Sequence, residues 1–224
     1  MTPDPSASPL ISRRSSIAVG AVLLVIVLAM LFVDPVVGRW ANTVAGVGWV
    51  ETLRSFVRPL GRDALQGLFV LALLIAALVS RSWSYARLAL VVGVAYAISG
   101  LTCHVIKMVV HRPRPEVMPV PWLGGWGLAA CMLENELHSF PSGDVTIAAE
   151  LATVVFLAIG RGYLRYLLVL IPFLSAVGRI IVAAHYPSDC LASALLGTSV
   201  SILVWRWLMP RPTPAAGPNE AAAE

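Results

Sequence analysis

SIAVGAVLLVIVLAMLFV, residues 16–33, is an apolar run without a charged side chain. A helix rises about 1.5 Å per residue, so such a run approaches the roughly 30 Å of a bilayer's hydrocarbon core. Five further runs repeat it: 64–80, 88–106, 145–160, 166–184 and 190–205, the fourth broken only by Glu150 and the fifth only by Arg179. The backbone groups of a spanning segment must be satisfied inside a helix or a closed barrel. These runs have neither the ten-residue length nor the alternation of barrel strands. The reading is an all-α integral membrane protein, a six-helix bundle over residues 16–208.

Composition agrees with this. The chain of 224 residues is 58% hydrophobic and 12% charged, with a mean hydropathy of +0.81. Soluble domains carry about 25% charge, so a disordered tail protein is excluded and a soluble enzyme is not expected. The net charge of +4 comes from fifteen Arg and one Lys against twelve acids. No basic run or basic helical face accompanies it beyond a single short stretch, so nucleic acid is not an expected partner. Cys103, Cys131 and Cys190 match neither a zinc pattern nor a disulfide framework. Residues 1–15 and 209–224, rich in Pro, Ala and small polar residues, read as disordered termini.

Eight basic residues fall on the side of the N-terminus and eight on the other, so the positive-inside rule alone ties. With Lys107, Arg112, Arg114 and Arg179 reserved for chemistry the count is eight to four, which puts both termini in the cytoplasm. Arg13 and Arg14 then flank an uncleaved signal anchor. Residues 34–63 mix Trp40, Trp49 and Phe56 with four Arg, which suits a segment lying in the interface.

Three polar clusters interrupt the apolar background: KMVVHRPRP at 107–115, SFPSGD at 139–144 and GRIIVAAHYPSD at 178–189. By span parity all three face one side of the membrane. Ionisable groups in and beside spans are costly, so their convergence marks a candidate site. Lys107, Arg114 and Arg179 supply two guanidinium forks and an ammonium, the set that suits a phosphoryl group. Ser142, Gly143 and Asp144 open the fourth span, where helix-start amides favour an anion. His185 and Asp189, four apart, suit an imidazole oriented by a carboxylate. Glu150, within a span, reads as pairing with Arg179 or lying in the bundle interior.

These clusters resemble the type 2 phosphatidic acid phosphatase superfamily of membrane lipid phosphatases. Lys107 through Arg114 and Pro115 resemble its first motif; Pro141, Ser142, Gly143 and Asp144 resemble the second, with Asp for the family's His. Gly178, Arg179, His185 and Asp189 resemble the third, with Gly for Ser. The resemblance implies phosphoryl transfer without metal or cofactor. His185 would attack phosphorus, Asp189 orient it, and Lys107, Arg114, Arg179, Ser142 and Gly143 hold the phosphate oxygens. Asp144 would act as the acid and base; His138 and His111 are candidate substitutes.

The implied substrate is a lipid phosphate or diphosphate in the bilayer. A diphosphate such as a polyprenyl diphosphate is favoured, since phosphate leaves with less protonation than an alkoxide. Lipid-to-lipid phosphotransfer and a non-catalytic phospholipid-binding protein are the alternatives. The expected location is a bacterial inner membrane, with the site on the periplasmic face. Residues 116–138, with Trp122 and Trp126, read as a lid over the site or an interfacial anchor.

Overall fold

The computed structural model describes residues 13–57, 63–117, 138–160 and 162–209. Residues 1–12, 118–137 and 210–224 lie outside the described residues, and with them most of the expected disordered termini, nearly all of the 116–138 loop, and Cys131; residues 13–15, expected to be disordered, instead open the first helix. The described residues are helical throughout their regular structure, with no strand among them.

The first apolar run forms α1 (Arg13–Leu28), a π-helical segment (Ala29–Val33) and α2 (Asp34–Val44) as one unbroken path. Pro35 explains the π turn. It offers no N–H to the preceding turn and its ring crowds the carbonyl there, and a wider turn relieves both. The first crossing therefore extends over Ile17–Val44. This corrects the reading of 34–63 as interfacial: its first third continues the span, and Asp34 is fully buried. Helix α3 (Gly48–Val57) follows, with Trp49 exposed.

Helices α4 (Asp63–Ser80), α5 (Trp83–Val110) and α6 (Gly143–Ile159) come next. A 3₁₀ segment (Tyr163–Val169) then feeds α7 (Leu170–Ile181), and α8 (Pro187–Leu208) ends the bundle. Among the described residues, four helical paths are long and apolar enough to cross a membrane: Ile17–Val44, Trp83–Val110, Tyr163–Ile181 and Pro187–Leu208. The second and fourth expected spans correspond to the shorter α4 and α6, of 18 and 17 residues. Large apolar side chains such as Leu78, Val79 and Leu101 face outward, as lipid contact requires.

The tightest pairing is α6 against α8, and small residues make it possible. Ser193, Gly197 and Ser201 recur every four residues along α8. A Cβ on Gly197 would lie 2.4 Å from the backbone oxygen of Thr146, so only glycine lets the helices approach this closely. Apolar packing gathers at one end of the bundle, around Leu73, Val91, Val92, Ala95, Val154, Val200 and Val204. Midway, Glu150 accepts hydrogen bonds from Gln66 Nε2 at 2.5 Å and Ser99 Oγ at 2.7 Å. Glu150 thus lies in the bundle interior. The alternative pairing with Arg179 is not made.

Candidate active site

The polar clusters meet at the other end. Lys107 occupies the last turn of α5. The chain leaves that helix through His111, whose positive φ of 49° is an uncommon state for a non-glycine residue. The turn sends Arg112 inward and brings residue 112 beside the chain that enters α6: Ser139 N–H donates to Arg112 O at 2.9 Å.

Arg112 is the centre of a buried network. Its Nη2 donates to Asp34 Oδ2 at 2.7 Å, its Nη1 donates to Asp189 Oδ1 and to Ser188 Oγ, the latter at 2.7 Å. Its guanidinium carbon lies 4.2 Å from the centre of the Tyr186 ring. Asp34 also accepts from Ser188 N–H at 3.1 Å and from Ser188 Oγ. Both carboxylates and the guanidinium are excluded from solvent. Such charges are tolerated only when paired and hydrogen-bonded, as these are.

Asp189 ties this network to the histidine. Its Oδ2 accepts from Ser139 Oγ at 2.6 Å and from Tyr186 N–H at 2.8 Å, the latter closing the first turn of α8. The expected direct bond to His185 is absent: Nδ1 lies 3.8 Å from Asp189 Oδ2, beyond hydrogen-bond reach. His185 Nδ1 instead donates to the backbone carbonyl of Ser139 at 2.6 Å. A carbonyl can only accept, so this contact fixes the proton on Nδ1 and leaves the lone pair on Nε2. Burial pushes the His185 imidazole below its ordinary value of 6.5; Asp189 opposes this, while Arg179 and Arg114 reinforce it.

Arg179, in the last turn of α7, pairs with Asp144 at 3.2 Å. Arg114 faces Glu116 at 3.6 Å and lies near enough to His185 to act on its charge. Gly143 opens α6 beside Lys107, whose Nζ would lie 3.9 Å from a Cβ built there. The Ser142 N–H is already taken by Ser193 Oγ at 2.7 Å, so the amides left for an anion are those of the following first turn. Ser142 Oγ is buried without a hydrogen-bond partner.

The structure thus brings together all eight residues singled out from the sequence. Asp34, Ser139 and Ser188 were missed as site residues, and Arg112, reserved with the other cations for chemistry, is the buried centre of their network. Of the substitutes for Asp144, His111 is buried at the end of α5, with Nε2 unpartnered, and His138 is partly buried beside Ser139. Cys103 and Cys190 are buried free thiols.

Two crystal structures have the same fold. LpxE of Aquifex aeolicus superposes with a TM-score of 0.53 at 22% identity, over 78% of this chain and 95% of its own. A transmembrane PAP2-type phosphatidylglycerolphosphate phosphatase of Bacillus subtilis superposes with a TM-score of 0.61 at 17% identity, over 86% and 98%. No curated protein sequence matches the chain significantly. The model of the PAP2 superfamily matches residues 88–212, more than half of the chain and the whole of the three motifs from Lys107 to Asp189. The chain is therefore a membrane-spanning member of the PAP2 superfamily, the type 2 phosphatidic acid phosphatases.

Proposed function

We propose that this protein hydrolyses a membrane lipid phosphate or diphosphate through a phosphohistidine on His185, without a metal. The observation that carries the reading is the Ser139 carbonyl on His185 Nδ1. It leaves a neutral, buried imidazole with Nε2 as the nucleophilic atom, among Lys107, Arg114 and Arg179. Phosphoryl transfer asks mostly for positioning and for cations around the equatorial oxygens, and these three side chains supply both. Asp189 acts at one remove: it holds Ser139, whose carbonyl holds His185.

Asp144 shapes the choice of substrate. Its carboxylate pairs with Arg179 at 3.2 Å, and an incoming phosphate takes its place. A carboxylate engaged in this way is a poor proton donor. A leaving group that departs as phosphate depends less on a proton from Asp144 than an alkoxide does, which favours a polyprenyl diphosphate.

The location follows from the charges. Arg112 is wholly buried and so does not count as a loop charge. Setting it aside with Lys107, Arg114 and Arg179 leaves the basic excess on the side of the termini, which supports a site on the periplasmic face of an inner membrane.

The test is phosphate release by the purified protein in detergent with chelator, from a polyprenyl diphosphate and a phosphatidic acid side by side, with His185→Ala as control. Release abolished in the control supports the reading. Chelator-sensitive release, or release that survives in His185→Ala, overturns it. Transfer of phosphate to a second lipid instead of water would make the protein a phosphotransferase using the same histidine.

A further inference from the structure

We infer that His104 is the acid–base residue on the leaving-group side of the site; the inference rests on the phosphohistidine reading above. An open groove of about 190 Å³ runs between α5 and α6, lined by Tyr96, Gly100, Cys103, His104, Lys107 and Gly143, with Thr146 and Ile147. It ends at Lys107 and at the helix start that receives the phosphate. From Lys107 back to Tyr96 it follows α5 for about 16 Å into the membrane. A lipid whose phosphate sits against Lys107 and Gly143 has its next atoms in this groove.

His104 precedes Lys107 by three residues, so the two heads share a face of α5. It is exposed on that face and lines the groove. An imidazole in a membrane-spanning helix is costly, and the groove gives this one a task. The other candidates are placed less well: Asp144 is held by Arg179, and His111 is buried beyond the helix end. His185 is not among the residues that line the groove and lies on the loop before α8, so the nucleophile and His104 reach the phosphate from different elements.

The steps balance. His185 Nε2 forms a bond to phosphorus, the bond from phosphorus to the lipid oxygen breaks, and that oxygen takes its electron pair and a proton from the His104 imidazolium. Water then attacks phosphorus, gives a proton to neutral His104, and the bond to Nε2 breaks. Inorganic phosphate leaves, and both histidines return to their starting states.

The experiment compares His104→Gln with the unaltered protein on an alkyl phosphate and an alkyl diphosphate of the same chain length, in detergent. General acid catalysis is worth roughly 10²–10⁴-fold, so kcat/KM for the monoester should fall at least about 100-fold. The diphosphate, whose leaving phosphate needs less protonation, should lose less than about a tenth as much. His104→Ala should regain monoester turnover on addition of imidazole, a recovery that a purely structural defect would not show. Equal losses on both substrates, no loss on either, or the selective loss appearing in Asp144→Asn instead would each overturn the assignment. His185→Ala separates the readings: if it retains turnover, the phosphohistidine fails; if it is inactive while His104→Gln is unaffected, only His104 fails.

Discussion

Replacing Asp34 by Ala should destabilise the protein more than any other single truncation at the site end of the bundle. Asp34 and Arg112 lie 2.7 Å apart with no solvent exposure, and at an effective dielectric of ~20 their gross attraction is about 6 kcal/mol. Part of this offsets the desolvation of both ions. What truncation exposes is the uncompensated half: a guanidinium deprived of one carboxylate, and the Ser188 N–H and hydroxyl deprived of their acceptors. Breaking a buried pair from one side costs about 3–5 kcal/mol, a change of roughly two to four orders of magnitude in the folded ratio. The assay is equilibrium unfolding in mixed micelles of mild detergent and dodecyl sulfate, followed by tryptophan fluorescence. Adding Arg112→Met to Asp34→Ala should cost much less than the two changes made separately, because the second removes the charge that the first orphaned. A loss below about 1 kcal/mol in Asp34→Ala, or strict additivity in the pair, would refute the reasoning.

Gly197→Ala should destabilise by about 1–3 kcal/mol or more, since its methyl would sit 2.4 Å from Thr146 O; the same unfolding assay reads it. Asp144→Asn removes one partly exposed ion pair of Arg179 and should tighten inhibition by inorganic phosphate by roughly two- to fivefold, as measured from Ki. Ser139→Ala removes a hydroxyl from Asp189 but keeps the carbonyl on His185, so kcat should fall far less than in His185→Ala. The lowered His185 value puts the acid limb of kcat/KM below pH 6.5, because the neutral nucleophile persists to lower pH. The stability link has the same sign: as pH drops below 6.5 the unfolded chain takes up the proton first and stability declines. An acid limb above 6.5 that follows the enzyme and not the substrate would contradict this.

The all-helical membrane fold, four of the expected spans and the three clusters were legible because charge exclusion from lipid and fixed spacings both survive in a one-dimensional string. Lys107, Arg114, Asp144, Arg179, His185 and Asp189 stand out against an apolar background for that reason. The acceptor that orients His185 did not stand out, since it is a backbone carbonyl and every residue has one. Asp34 was hidden by distance, lying 78 residues from Arg112, and it looked like the charge that ends a span. A buried partner for Arg112 could have been suspected from the surplus of cations in its cluster. His104 escaped for a different reason: a histidine counted as neutral leaves the run 88–106 uncharged, and only its three-residue spacing from Lys107 would have marked it.

The Arg112 network also bears on what counts as a self-sufficient unit. The family-matching stretch, residues 88–212, contains the three motifs, yet the carboxylate that completes the network, Asp34, precedes it by more than fifty residues. The N-terminal helix is therefore a strut of the catalytic end as well as a membrane tether. Chimaeras that exchange this helix between relatives should work only where the incoming segment brings an acid to the same depth, and a fragment starting at α4 should fail even with every motif intact.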